Sequence, residues 1–496
     1  MDLVLRRGNL GTSRADLIAV GIAQDATTLR AAPLAVDRAT GGAITALLRS
    51  RDFQGAALET ALLHPRGRAA RRVLVVGLGP VADLDLNLLR QFAGAAARRA
   101  RDLGLATLAL DVPGLDRGLD PERIVQALAE GAQLGNYRHT VYRSDPGPVS
   151  LRRAELVAAD ARVARLEAAV TRGERWAAGV CLARDLASTP GDDLTPEKLA
   201  DAARGVAKRS GARTRVLGVA EMERLGMGAL LAVGRGSIHP PRFVVLERGP
   251  ATSRRTVVLI GKGVTFDTGG ISIKPREGMA KMKYDMSGAA AVLGTFLALP
   301  ALELPFRVVG LVPTAENMPS DRAFKPGDVV RAMNGTTIEI TNTDAEGRLI
   351  LADALCYARR FEPEAVVDLA TLTGAISIAL GRAAAGLFSP DEPLASALLA
   401  ASAAAGERLW RMPLYPEYGA ELKSDTADLV NSAVKEGGAC IAAAFLERFA
   451  RGMSWAHLDI ASTAWAYSER PLESRGPNGF GVRLLLEWLA ARARAG

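Results

Sequence analysis

Four acidic side chains and two lysines, gathered in two short stretches, carry most of the chemistry this sequence offers. The first stretch runs from Gly261 to Asp285, GKGVTFDTGGISIKPREGMAKMKYD; the second is Asn342-Thr-Asp-Ala-Glu-Gly-Arg348. Lysine marks the first one out. The chain has 62 Lys and Arg residues, yet only nine are lysines, none occurs before position 198, and four fall between 262 and 283. A position that stays Lys in an Arg-favouring chain suits a task a guanidinium cannot do. An amine can shed its proton and bind a metal, whereas a guanidinium stays charged. Lys262, shortly before Asp267 and 23 residues before Asp285, is therefore a candidate amine ligand beside two carboxylates. Lys281 and Lys283 read as solvated surface charges. Lys262 and Lys274, inside the Gly-rich stretch, read as functional.

In the second stretch Asp344 and Glu346 are two residues apart, so an extended chain would project both to one side. A helical pattern, LILADALCYARR, resumes at Leu349 and puts Arg348 at a helix start. Alone, an acid-rich turn before a helix needs no function, because it suits the helix dipole. Joined to Lys262, Asp267 and Asp285, it completes four carboxylates and an amine, enough for two divalent ions about 3.5–4 Å apart. Histidine narrows the choice further. The chain has only His64, His139, His239 and His457 and no HExxH pair, so the single-zinc protease motif is absent. An oxygen-rich site with one nitrogen suits Mn, Mg or Zn. His457, in the alternating run Trp455-Ala-His-Leu-Asp-Ile460, reads as a core histidine rather than a ligand.

These residues need an α/β scaffold. At 496 residues, with 49% apolar and 23% charged side chains, the chain reads as a soluble globular protein of two domains. Residues 1–160 alternate apolar strands (Asp16–Ala23, Arg72–Gly77, Ala106–Val112, Val149–Val157) with helical patterns (Leu84–Leu103, Pro121–Gly135) and are expected to form a small N-terminal α/β domain. A helix over Ala161–Ala187 is expected to connect it, within residues 161–190, to a larger α/β catalytic domain, 191–496, with a central mostly parallel sheet flanked by helices. Thr195-Pro196 marks the next helix start. The buried run Thr256–Ile260 reads as a strand that delivers Lys262 to a loop at the sheet edge. Gly77-Leu-Gly-Pro80 is a weak phosphate-loop candidate, lacking the third glycine.

No apolar run is long enough for a bilayer, and the N-terminus MDLVLRRGNLG lacks the apolar core of a secretory signal. Cys181, Cys356 and Cys440 are far apart, which fits core packing in a reducing compartment; the expected location is cytoplasmic. The net charge of +8 is concentrated early, with +6 in residues 1–100. The densest basic patch, HPRGRAARR at 64–72, could touch nucleic acid, but it lacks aromatics and reads as an Arg-rich surface loop.

Both stretches, in this order, resemble the leucyl (cytosol) aminopeptidase family. The resemblance rests on Gly261–Gly270 (GKGVTFDTGG), Ser272-Ile-Lys274, Met282-Lys-Tyr-Asp-Met286 and Asn342–Leu349. It continues through Asp368-Leu-Ala-Thr-Leu-Thr-Gly374, Trp455–Asp459, Thr463-Ala-Trp465 and Gly479-Phe-Gly-Val-Arg483. It implies a dinuclear metallo-exopeptidase that takes leucine and other apolar residues from the N-terminus of short peptides. Lys262, Asp267, Asp285 and Glu346 would hold the looser ion and Asp267, Asp344 and Glu346 the tighter one, Asp267 and Glu346 bridging two Mn2+ or Zn2+ ions. The resemblance also implies Lys274 and Arg348 as the catalytic pair, with bicarbonate at Arg348. Met282, Asn342, Thr371 and Gly374 would meet the substrate, and the assembly would be a homo-hexamer. Two loops depart from the family pattern, Ser188–Gly191 and Asn431–Gly437. Neither includes a ligand position, so they bear on substrate preference. A non-catalytic, DNA-binding relative is disfavoured because every ligand and both catalytic positions are intact. A two-metal phosphohydrolase is disfavoured because no histidine joins the ligands.

Overall fold

The structure is a computed structural model that describes residues 1–65, 72–115, 118–145, 147, 151–159, 166–250 and 252–495. The chain divides into two compact units. One comprises Met1–Ala178 with Ser468–Ser474, the other Gly179–Tyr467 with Arg475–Gly496.

The first unit is built on six strands, β1 (Asp2–Arg7), β2 (Leu17–Ile22), β3 (Thr60–Leu63), β4 (Val73–Gly77), β5 (Thr107–Asp111) and β6 (Arg153–Ala158), in the order β1-β6-β5-β2-β4-β3. All neighbours are parallel except β3 and β4. Strand period decides its two cores. From β2, Leu17 and Ala19 enter the core under the helices Leu86–Asp102 and Pro121–Asn136, while Ile18, Val20 and Ile22 enter the one containing Val36 and Ile44. Four expected strands and two helices form within a few residues of the predicted limits. The expected strand over Val149–Val157 begins only at Arg153, and its first residues lie outside the described ones. The edge strand β1, too arginine-rich to stand out, was not foreseen. Nor was the return of Ser468–Ser474, which Arg98 holds through Glu469 at 3.0 Å and the Glu473 carbonyl at 2.6 Å. The phosphate-loop candidate fails. Its amides are taken by the fold: Gly77, Leu78 and Gly79 donate to the carbonyls of Glu59, Ile22 and Gly55, and no long helix begins until Leu86. Most of the basic patch 64–72 lies outside the described residues, as do the first residues of the expected connecting helix, which is seen over Glu167–Ser188.

The second unit has β7 (Arg213–Leu217), β8 (Arg242–Arg248), β9 (Thr256–Gly261), β10 (Gly263–Asp267), β11 (Arg307–Asn317), β12 (Val329–Arg331), β13 (Thr337–Glu339), β14 (Ala365–Ala370), β15 (Ala385–Phe388), β16 (Leu409–Arg411), β17 (Leu429–Val430) and β18 (Trp455–Asp459). Nine of them make one sheet in the order β16-β15-β18-β14-β9-β11-β8-β7, with β10 added to β11; β12, β13 and β17 make a small separate sheet. The centre, β18-β14-β9-β11 with β10, is parallel. Helices cover both faces, so β9 and β14 are buried along their whole length, the reason they read as continuous apolar runs. Thr195 caps the helix Pro196–Ser210 by accepting from the Lys198 amide, and Gly211 ends it in the left-handed conformation, as the sequence signals require.

One buried carboxylate organises the helix Gly347–Ala358. Asp353, fully enclosed, accepts from the amides of Leu230 and Met333, both at 2.8 Å. Burial pushes its pKa up to about 7 against the pull of these amides. A carboxyl with a raised folded pKa stabilises the fold while protonated, and that contribution is lost as pH climbs from the ordinary carboxylate range through about 7. Asp353→Asn is therefore expected to gain on the wild type in Tm as pH rises from 4 to 8. A Tm difference constant over that range would overturn this reading.

Candidate metal centre

The chemistry-bearing residues meet at the carboxyl ends of the parallel strands, where open α/β sheets place their ligands. Lys262 links β9 to β10, Asp267 ends β10, Thr371 follows β14, and Asp285 lies between a short turn, Met282–Tyr284, and the helix Ser287–Ala298. The sequence led us to expect a loop after β9. Instead Gly263–Asp267 is a further strand paired with Gly263↔Thr314 to Asp267↔Asn317 of β11, which fixes the Lys262–Asp267 spacing rigidly.

Two ammonium groups knit the acids together. Lys262 Nζ lies 2.7 Å from Asp285 and 2.8 Å from Glu346, and also donates to the Thr371 carbonyl at 2.9 Å. Lys274 Nζ lies 2.7 Å from Asp267 and 2.5 Å from Asp344. Burial alone would lower both lysine pKa values, but Asp285, Glu346 and Asp267 around Lys262, and Asp267, Glu346 and Asp344 around Lys274, raise them instead. Burial in turn raises the pKa of Glu346 and Asp285, and the neighbouring Asp267 adds to both. The cluster is rich in negative charge and short of cations. One oxygen each from Asp267, Asp344 and Glu346 lies within 4.8 Å of the others. Together with the lysine-bridged Asp285, this is a hard-oxygen donor set that fits divalent cations.

The scaffold holds these carboxylates from behind. Asp267 Oδ1 accepts from the Gly269 amide and from Asn317 Nδ2, both at 2.9 Å. Asn317 Nδ2 also donates to the Thr343 carbonyl at 3.0 Å, tying the two ligand stretches together. Thr371 Oγ1 donates to Asp285 Oδ1 at 2.7 Å. Arg348, buried at the start of its helix, donates through Nη1 to the Asn431 carbonyl at 2.8 Å, while its Nε has no partner among the described residues. Burial lowers its pKa to about 10, against the pull of Glu346 and Asp459. Gly347 has no room for a side chain, since a Cβ there would lie 2.8 Å from Lys262 Nζ.

Asp344 and Glu346 do converge, but not along an extended chain. The backbone turns at Asn342, whose Oδ1 accepts from the Asp344 amide at 2.9 Å, and Glu346 is already helical. Thr371 sits within the cluster and Met282 next to it, half-buried; Asn342 serves as that turn's cap, and Gly374 is exposed at the first residue of the helix Gly374–Leu380. His457 is a core residue as expected, its Nδ1 2.5 Å from Asp368. Asn317 and Asn431 were not singled out as site residues. Asn431 opens a loop expected to bear only on substrate preference, yet it contacts Arg348 and the Asp344 turn. No local signal marks a lone buried asparagine.

Comparison with known proteins gives one family over both parts of the chain. The model of the cytosol aminopeptidase family, catalytic domain, matches residues 181–486, and that of the family's N-terminal domain matches residues 19–146. A probable cytosol aminopeptidase of Roseiflexus castenholzii is 48% identical over 89% of this chain and 92% of its own length. That of Methylobacillus flagellatus is 44% identical over 99% and 100%. Among solved structures, the bottromycin maturation enzyme BotP in complex with Mn superposes with a TM-score of 0.86 at 41% identity, covering 97% of this chain and all of that one. A tomato leucine aminopeptidase mutant superposes with a TM-score of 0.90 at 33% identity, covering 99% and 96%.

The enclosure of Lys262 yields a sharp comparison. Lys262→Arg keeps the charge but forces a longer planar group into a slot closed by Gly347, so it is expected to abolish most activity and one bound ion. Lys283→Arg should leave both near wild type. Two ions per folded Lys262→Arg chain, counted by elemental analysis, would refute a ligand role for the amine.

Proposed function

The chain belongs to the cytosol aminopeptidase family, and from that membership we propose that it releases N-terminal amino acids, leucine and other apolar residues foremost, from short peptides. The observation that carries this reading is the cluster of four carboxylates bridged by Lys262 and Lys274 at the strand ends. In this proposal Lys262, Asp267, Asp285 and Glu346 hold one ion and Asp267, Asp344 and Glu346 the other. Two divalent cations held there, Mn2+ or Zn2+, would supply Lewis acidity and lower the pKa of water at the site.

The side chains divide the remaining work. Lys262 would give up its proton to serve as an amine ligand: burial favours the loss, the surrounding carboxylates oppose it, and a cation in place of the proton would satisfy them instead. Lys274 is the more exposed of the two lysines. It is suited to donate to the substrate carbonyl oxygen as charge builds there. Arg348 presents a buried Nε without a partner among the described residues, a fixed donor for a bicarbonate or carboxylate that relays protons. Half-buried Met282, beside Asp285, offers the apolar surface for the first side chain.

No helix among the described residues is long and apolar enough to cross a membrane, and we place the enzyme in the cytoplasm as a homo-hexamer, an assembly that would keep folded chains from an unselective exopeptidase. Light scattering should then give six times the 52.2 kDa chain mass; a fully active species of single-chain mass would exclude the hexamer.

Activity on leucine p-nitroanilide should vanish on exhaustive chelation and return with Mn2+, and N-acetyl-leucine amide should not be cleaved. Rapid cleavage of the acetylated compound, or full activity after chelation, would sink the proposal.

A further inference from the structure

Asn431 is completely buried, yet it lies at the foot of a surface loop, immediately after β17. The short strand β17 pairs with β13 (Ile338↔Leu429, Glu339↔Val430), and the Asn431 amide extends that ladder by donating to the Glu339 carbonyl at 2.9 Å. From this anchored backbone the side chain reaches across to the ligand turn. Its Oδ1 accepts from the Thr341 amide at 2.8 Å, the Thr341 hydroxyl at 3.2 Å and the Asn342 amide at 3.3 Å. Its Nδ2 donates to the carbonyls of Asn342 at 2.7 Å and Ala345 at 3.4 Å. Its own carbonyl accepts from Arg348.

Every side-chain partner of Asn431 thus lies between Thr341 and Ala345, the turn from which Asp344 and Glu346 project. The carbonyls of Asn342 and Ala345 flank Asp344, so holding both sets where its carboxylate points. A carboxamide suits the task because it offers acceptor and donor on one planar group and carries no charge. An aliphatic side chain would strand buried amides and carbonyls, each costly to leave unpaired. A carboxylate would turn an acceptor toward two carbonyls and add negative charge beside an acid cluster already short of cations.

We infer that Asn431 is a positioning residue for the metal centre: its side chain sets the Asp344–Glu346 turn and its carbonyl sets Arg348. The inference rests on the aminopeptidase reading for its kinetic part, but its metal-binding part stands independently. Groups that orient ligands from behind typically change metal affinity or activity about 10–100-fold when removed.

The test compares full-length wild type with Asn431→Asp, which preserves shape but puts an acceptor and a negative charge where Nδ2 donates to the Asn342 and Ala345 carbonyls. Equilibrium dialysis with Mn2+ alone is expected to show affinity lowered about 10–100-fold. On leucine p-nitroanilide, kcat should fall by a similar factor while KM stays within about threefold, because the side chain acts on the acidic turn and not on Met282, the apolar surface proposed for the first side chain. Unchanged Mn2+ affinity with unchanged kcat would overturn the inference. So would a loss of kcat that only tracks the unfolded fraction in thermal melts. If Asn431→Asp fails to fold, Thr341→Val, which removes a single hydroxyl from the network, takes its place. It should weaken Mn2+ binding measurably at unchanged Tm, and wild-type binding in it would overturn the inference. A wild type that binds Mn2+ and loses it in Asn431→Asp, yet cleaves no peptide, would retain the positioning role and reject the aminopeptidase reading alone.

Discussion

Mutual repulsion among four enclosed carboxylates is the constraint around which the catalytic unit is arranged. Asp267, Asp285 and Glu346 are almost fully buried and Asp344 partly so. Taking charges out of water costs several kcal/mol per ion even after relaxation. Placing like charges together adds to that, which is why burial and neighbouring acids raise the pKa of Glu346 and Asp285. Two ammonium groups, each spanning a pair of acids, compensate part of this charge. The same excess of hard oxygen is a donor set of the kind that suits small divalent cations.

A cluster under such repulsion holds together only on a rigid frame. Strands β9 and β14 end together, Gly261 opposite Leu369, and β10 and β11 end together further on, Asp267 opposite Asn317, so the first pair delivers Lys262 and Thr371 and the second Asp267 and Asn317. The helix Ser287–Ala298 comes close enough to carry Asp285 in, because Gly288 lacks a Cβ that would lie 2.1 Å from the Leu369 carbonyl. Behind these, Asp459 accepts from the Leu372 amide and the Thr373 hydroxyl, bracing the loop whose Thr371 holds both Lys262 and Asp285. Deeper still, Asp368 takes the indole N–H of Trp455 and the His457 ring, a polar layer within the sheet. Stability and function share these residues. Polar groups that would be expensive if unpaired are paired with one another in the geometry the site requires.

Much of this was legible from residue types alone. The scarcity of lysine singled out Lys262 and Lys274, the two acidic stretches supplied the carboxylates that cluster with them, and unbroken apolar runs located the buried strands. Those signals are local: a side chain's chemistry, a period of two or 3.6, a capping Thr before a Pro. What they determined was which groups stand in the site and which elements carry them.

The tertiary structure alone decided how those groups meet. Asp344 and Glu346 converge through a turn capped by Asn342 rather than along a strand, because the turn's backbone is held from Asn431, about 90 residues further on. Asp353 looks like one more helix residue until Leu230 and Met333 bring their amides to it. Ser468–Ser474 follows the catalytic elements in sequence yet belongs to the first unit. In each case the deciding hydrogen bond or ion pair joins residues far apart in the chain. Such a bond leaves no periodicity in the sequence, and only folding brings its donor and acceptor within 3 Å or so of each other.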